Sequence, residues 1–299
     1  MQAGLVSVVL PFANASRFLR EAIDSVLAQC YRHWELLLVD DGACDGSAEI
    51  AKAYASRFPE KVRYLKHADG HNHGVTRSRN LAAENAQGEY LAILDADDVW
   101  LPEMLENRAA DLEGHPEAGL TFGPSEYWYS WSGLNVPESD YLPPIAPGPR
   151  LYQPPFLLLN THPIGGGGAP CPSSFVMRRE AFAKIGGFVE EFCPATRQLY
   201  EDTAFLSKAY LKVPVYVGER SFERYRCDSQ SIWHRTRGTS LEELERKFYF
   251  RWLRGYLRSE GIADPAIWKA VRRAGWMYWG PLPASLTRLL RRAGNRLGR

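Results

Sequence analysis

Residues 91–100 read LAILDADDVW: four apolar residues run directly into Asp95, Asp97 and Asp98. An apolar run this short, bounded by polar residues, is the pattern of a buried strand. Three carboxylates at its end repel one another, so a positive partner is expected among them for part of the working cycle.

Working outward, the same pattern recurs. Leu5 to Leu10 (LVSVVL), Glu35 to Asp40 (ELLLVD) and Val62 to His67 read as strands, as does Tyr90 to Leu94 ahead of the aspartates. Between them lie helical patterns: one after Asn14, taken as its N-cap, with Phe18, Leu19, Ala22, Ile23, Val26 and Leu27 at helical spacing; then Ser47 to Phe58 and Val75 to Ala86. Continuous apolar strands alternating with helices predict an α/β fold, a mostly parallel sheet covered on both faces. In such sheets ligands gather at the carboxyl ends of the strands, so the pairs Asp40/Asp41 and Asp95/Asp97 are expected to face one crevice. Asp45, in DGACDGS, reads as turn chemistry.

The pattern loosens after residue 130. Pro137 to Pro155 holds seven prolines and HPIGGGGAP (His162 to Pro170) four consecutive glycines, so both are expected to be loops or covers over the site. No Lys-Ser/Thr follows Gly165–Gly168, which weakens a phosphate-loop reading. Ser173 to Phe188 reads as a strand and short helix, a further helix begins near Glu201-Asp202, and PVYVGE returns as a strand. Leu241 to Leu257 and Ala266 to Trp279 are helical patterns. The expected division is a catalytic domain over 1–236, its nucleotide half about 1–100 and acceptor half about 101–236, followed by a basic helical extension over 237–299. From Pro265 to Arg299 there are eight Lys or Arg and no acid, a composition suited to an anionic membrane surface, to docking on the domain, or to a solvated helix face.

Composition narrows the classes. Lys and Arg number 36 against 35 Asp and Glu, so global charge gives no argument for nucleic acid. The five cysteines are scattered without a C-x-x-C pair, which argues against a zinc site or a disulfide framework and for a reducing compartment. No signal peptide and no run of about 18 apolar residues is evident, so a cytoplasmic protein is expected, with peripheral contact at the inner membrane face through its basic end.

Four ordered blocks resemble those of family 2 glycosyltransferases: VSVVLPFANASRFLREAIDSVLAQ, WELLLVDDGACDGS, GVTRSRNLAAENAQGEYLAILDADD and YEDTAFLSKAYL. The resemblance covers about residues 5 to 230. It implies the GT-A fold and transfer of a sugar from a nucleotide-diphosphate donor to a hydroxyl acceptor (glycan, lipid-linked or other), usually with inversion and a divalent cation, Mg²⁺ or Mn²⁺. By this resemblance Pro11 lines the base pocket, Asp41 contacts the base with Asp40 beside it, and Arg79 and Asn80 lie near the nucleotide. Asp95-Ala-Asp97 matches the D-x-D motif, with Asp95 toward the ribose and Asp97 the better metal ligand. Glu201-Asp202 matches the acidic pair in which Asp202 is the catalytic base. Two departures matter. Ala13 stands where the family often has an aromatic, so the stacking partner for the base is either missing or supplied by Phe12, and no Q-x-x-R-W follows the acidic pair, which disfavours a processive synthase.

The chemistry has its own logic. Mg²⁺ binds through one or two carboxylates plus phosphate oxygens, so few aspartates suffice. Direct displacement then needs one carboxylate to take the acceptor's proton, and a helix start is expected to keep Asp202 ionised. His67, His71 and His73 fit a solvated or phosphate-facing loop better than a metal site; Arg224, Arg226 and His234 fit a diphosphate contact or a charged surface equally. D-A-D-D-V also matches haloacid-dehalogenase-type phosphohydrolases, with Asp95 as nucleophile, but these place the motif on the first strand. A non-catalytic nucleotide-sugar-binding module is the remaining alternative. A calcium loop fails at Val99 and Trp100.

Overall fold

The computed structural model describes residues 2–133, 138–145, 147–192 and 199–276. The basic tail beyond 276 and Cys193 lie outside these residues. In chain order the elements are β1 (Gln2–Phe12), α1 (Leu19–Leu27), β2 (Trp34–Asp40), α2 (Ser47–Arg57), β3 (Val62–Lys66), α3 (Val75–Asn85) and β4 (Gly88–Ile93). After the aspartates come β5 (Val99–Trp100), α4 (Met104–Gly114), β6 (Leu120–Phe122), β7 (Glu126–Trp128), β8 (Arg150–Tyr152), α5 (Phe156–Asn160), β9 (Val176–Arg178) and α6 (Arg179–Ile185). The chain continues through α7 (Glu201–Lys212), β10 (Val215–Val217), β11 (Glu223–Arg226), α8 (Ile232–Thr236), α9 (Ser240–Ser259) and α10 (Pro265–Gly275).

The main sheet has eight strands in the order β3-β2-β1-β4-β9-β6-β10-β8. β1 to β4 pair in parallel, and β9 enters antiparallel between β4 and β6. Both faces are covered, which is why the strands read as unbroken apolar runs. Along β1, Val8 and Leu10 enter one apolar cluster and Val9 the other; along β2, Leu36 and Leu38 part from Leu37 and Val39 in the same way. Pro11 is tolerated inside β1 because pairing with β4 ends at Val9↔Ile93, so its missing N–H breaks no ladder bond on that side. A second, three-stranded sheet, β5-β11-β7, stands beyond the aspartates.

Two expectations change. Asn14 does not cap α1, which starts at Leu19; it sits at φ 51°, and its Oδ1 accepts the Cys44 N–H at 2.8 Å, tying the β1–α1 loop to the turn after β2. The proline-rich segment is not wholly irregular, since β8 pairs antiparallel with β10 at the sheet edge, where prolines are compatible with a strand. Helices α9 and α10 place Tyr249, Phe250, Leu253, Leu257, Ile267 and Val271 in the same apolar cluster as β4, β6 and β9.

Candidate active site

The β4–β5 turn separates its three carboxylates. Asp98 turns inward and is 1% exposed: Oδ2 accepts the Ser173 hydroxyl at 2.6 Å and Oδ1 the Arg226 N–H at 2.9 Å. It is a peg that holds the turn to β11 and to the segment entering β9. Asp95 and Asp97 stay half-buried. Burial and the charge of Asp95 push the Asp97 carboxyl up to about 6.

The positive partner anticipated for these acids is Arg79, from α3. Its guanidinium is 1% exposed, donates from Nη2 to Asp95 Oδ1 at 2.6 Å and stands 3.8 Å from Glu201 Oε1. One buried cation thus joins the end of β4 to the start of α7. It rests over the Phe188 ring, 5.0 Å from its centroid, and its Nε and Nη1 have no hydrogen-bond partner among the described residues. Placed so, Arg79 faces carboxylates instead of an open nucleotide site.

Glu201 and Asp202 open α7, preceded by Tyr200 at φ 69°, a left-handed conformation that is costly for an aromatic residue and is met mostly at functional sites. Asp202 Oδ1 accepts the Thr203 N–H at 2.5 Å and hydroxyl at 3.1 Å; Oδ2 has no partner among the described residues. Burial raises the Asp202 carboxyl despite the helix start, so the dipole does not decide its ionisation as expected. Burial and the Asp202 charge push Glu201 further, to about 8.

Asp95, Glu201 and Asp202 line one cavity of about 650 Å³. Gly165–Gly168 form part of its wall, as the glycine run suggested, but as a tight loop: Gly167 donates to Asn160 O at 2.9 Å and accepts from His162 N at 2.8 Å. Tyr127 and Tyr225 contribute from the small sheet, and His162, Tyr200, Trp233, Glu242 and Arg246 close the far side. Arg246 donates to the Tyr200 hydroxyl at 2.6 Å, and burial with the nearby Arg246 charge lowers His162 to about 4. Apart from His162, which lies in the glycine-rich segment read as a cover, reasoning from sequence missed this far wall. The only local signal was the adjacency of Tyr200 to the acidic pair.

The remaining candidates, like Asp97, are not among the residues that line this cavity. Phe12 is 2% exposed within the core, so its burial favours the alternative in which the stacking partner is missing. Asp40 accepts from Ala43 N at 2.8 Å and the Tyr64 hydroxyl at 2.5 Å; Asp41 accepts from His73 N at 2.7 Å and Gly74 N at 2.9 Å. Both are buried and shape the loops around the strand ends. Asn80 is turned away, donating to Phe188 O at 3.1 Å and accepting from Phe188 N at 2.8 Å, so it is not carried forward as a nucleotide contact. Asp45 is the turn residue expected, accepting from Ser16 N and Ser47 N. His67 pairs with Ser78 and His73 with Asp69, and no group of three or more His, Cys, Asp or Glu able to hold a metal occurs among the described residues. Arg226 is neither a diphosphate contact nor an exposed charge: it packs among Phe18, Trp128 and Trp131 and donates to Asp97 O and Glu21 Oε2, each at 2.6 Å. Arg224 pairs with Glu126 at 2.9 Å, and His234 Nδ1 bonds Ser231.

The chain is similar to several known proteins. The Bacillus subtilis (strain 168) protein EpsE, named as a glycosyltransferase, is 38% identical over 110 residues, 37% of this chain and 39% of EpsE. TuaG of the same strain, named for teichuronic acid biosynthesis, is 40% identical over 106 residues, 35% of this chain and 40% of TuaG. The matched stretches therefore span about two fifths of these relatives. Among solved structures, S. aureus TarS 1–349 in complex with UDP-GlcNAc superposes with a TM-score of 0.60 at 18% identity, covering 94% of this chain and 69% of that one. The mannosyltransferase PcManGT from Pyrobaculum calidifontis, in complex with GDP-Man and Mn²⁺, gives 0.54 at 18% identity over 98% of this chain and 79% of its own. At such identity these two show the fold alone, GT-A, a mostly parallel sheet flanked by helices. The profile of Glycosyl transferase family 2 matches residues 7–186, more than half of the chain, and the chain belongs to that family.

Proposed function

We propose that this protein transfers one sugar from a nucleoside-diphosphate sugar to a hydroxyl acceptor, with inversion at the anomeric carbon. The observation that carries the reading is the meeting of Asp95 and Asp202 on the walls of one cavity, their supporting strand end and helix start joined by Arg79. A volume of about 650 Å³ suits a small ligand.

Asp202 acts as the general base through Oδ2. The acceptor hydroxyl gives its proton to Asp202 as its oxygen bonds to the anomeric carbon, and the bond from that carbon to the diphosphate breaks. Glu201, pushed to about 8, holds its proton near neutral pH, which spares Asp202 a second adjacent negative charge. Two carboxyls with pKa values driven apart in this way can divide acid and base roles. His162, on the far side of the cavity, stays neutral near pH 7.

The residues fit a divalent cation shared with substrate. Asp97 is half-buried and Asp95 has committed only Oδ1 to Arg79, and two carboxylates suffice for Mg²⁺ or Mn²⁺ that draws its other ligands from phosphate and water. When bound, the cation neutralises charge developing on the leaving diphosphate. The nucleoside is expected over the β1 and β2 ends, near Pro11, Asp40 and Asp41. A role in surface-glycan or polysaccharide assembly is supported by the name of TuaG; no helix among the described residues is long and apolar enough to cross a membrane. The phosphohydrolase and binding-module alternatives gain nothing: Asp95 follows the fourth strand and is held by Arg79, and Asp202 keeps an unbonded oxygen on the cavity.

The test is turnover of a panel of nucleotide sugars by wild type and Asp202→Asn, with Mn²⁺. Loss of about 10²–10⁴-fold is expected. Equal turnover by the two proteins would remove Asp202 from the mechanism.

A further inference from the structure

The near-neutral total charge conceals a strong asymmetry. Residues 247–299 hold 12 of the 36 Lys and Arg but only two of the 35 Asp and Glu. The described part of this segment is a helical layer with a defined outside. Tyr249, Phe250, Leu253 and Leu257 of α9, and Ile267 and Val271 of α10, all enter one apolar cluster. Both helices therefore turn their opposite sides to solvent. On α9 that side presents Lys247, Arg251 and Arg258; on α10 it presents Lys269, Arg272 and Arg273, all exposed. None of the six is in an ion pair among the described residues. Flanking them are large apolar side chains left in water: Trp276 at 50% exposure beyond α10, and Leu244 at 58% and Leu241 at 41% in the first turns of α9, beside Glu242, Glu243 and the buried Glu245.

Unpaired basic residues beside exposed leucine and tryptophan form the pattern of a surface lying in a bilayer interface, not one that is merely solvated. We propose that the outer face of α9 and α10 docks on an anionic lipid bilayer, with Leu241, Leu244 and Trp276 entering the headgroup boundary. Charge complementarity selects this occupant. The rest of the chain, residues 1–246, carries 33 acids against 24 bases, so a second copy would meet the basic layer only off its symmetry axis. The tail from 277 to 299 carries five Arg and no acid, so it adds to the attraction and cannot neutralise it. A nucleic acid would use the cations but would leave the leucines unused. The first turns of α9 also supply Glu242 and Arg246 to the cavity wall. Resting on the transfer reading, docking would bring a lipid-linked hydroxyl acceptor to the same helix; the docking itself does not depend on that reading.

The full chain is sedimented with vesicles of phosphatidylcholine alone and of phosphatidylcholine with phosphatidylglycerol, at low and high salt. Binding to the anionic vesicles only, weakened by salt, is expected. Each cation contributes about fivefold, so the triple variant Lys247→Glu, Arg251→Glu, Arg258→Glu should bind at least about a hundredfold more weakly. Lys269→Glu with Arg272→Glu, on the other helix, gives the same answer if the first variant fails to fold. Leu244→Ser with Trp276→Ser should weaken binding while keeping its salt dependence. The proposal falls if wild type ignores anionic vesicles, binds neutral ones equally, or binds a DNA duplex more tightly, or if folded charge variants sediment like wild type. Since no sugar is transferred in the assay, its outcome is separate from that of the Asp202 test.

Discussion

Replacing Arg79 by Met removes the cation between the two halves of the site while keeping most of its packing over Phe188. Its guanidinium lies 2.6 Å from Asp95 and 3.8 Å from Glu201, and is 1% exposed. Two unit charges about 4 Å apart interact by about 4 kcal/mol at an effective dielectric near 20. Deleting one partner of a buried pair typically costs about 3–5 kcal/mol. Glu201 already tends to hold a proton, which relieves part of that cost, so about 3 kcal/mol is expected, a fall in Tm of roughly 6–12 °C. The catalytic consequence has a definite sign. Arg79 pulls the Asp202 carboxyl down against burial, so its removal raises the base and moves the acidic limb of kcat/KM to higher pH. Thermal unfolding and a pH profile of donor turnover read both effects. Arg79→Lys, which keeps the charge but loses the fork, should restore the limb while melting below wild type. An Arg79→Met protein that melts within about 1 °C of wild type, with a superposable acidic limb, would refute the bridge.

Further outcomes follow from the same site. Asp97→Ala should abolish Mn²⁺-dependent donor binding in calorimetry, and in wild type that binding should weaken as pH falls below about 6, where Asp97 takes up its proton. Glu201 has a folded pKa raised to about 8; stability from this group is complete at acidic pH and is lost as pH rises toward that value. The unliganded protein should therefore lose up to about 1.4 kcal/mol per pH unit in that window, and Glu201→Gln should flatten the slope in denaturant titrations. At Gly165 an added Cβ would lie 2.2–2.5 Å from Asn160 backbone atoms. Gly165→Ala should therefore displace the glycine loop and raise substrate KM, with little change in the far-ultraviolet CD spectrum.

Much of the architecture could be read from the chain because β1, β2 and β4 are buried on both faces. Strand and helix bounds there fall within a few residues of the apolar runs, and Asp95, Glu201 and Asp202 line one cavity, although Asp40, Asp41 and Asp97 are not among its lining residues. What could not be read depended on distant partners. Nothing local distinguishes Asp98 from Asp97, because Ser173 and Arg226 select which carboxylate turns inward. Arg226 looked like one of several surface cations, and only the rings of Phe18, Trp128 and Trp131 show otherwise. Asn14 had the chemistry of a cap but spends it on Cys44, thirty residues along the chain. The far wall of the cavity comes from loops and helix ends whose spacing carries no chemical signature.

Strand β9 has a consequence for how selectivity can arise. Because it runs antiparallel between β4 and β6, the strand that delivers Asp95 is hydrogen-bonded through β9 and β6 to β10, the strand that follows α7 with its Glu201 and Asp202. Such a hydrogen-bonded fabric leaves no jaw to shut on a substrate at that seam, so recognition is delegated to what fringes it, the glycine loop and the α8–α9 corner. Acceptor preference could then be exchanged between relatives by grafting those fringes, with the bond-making groups left untouched.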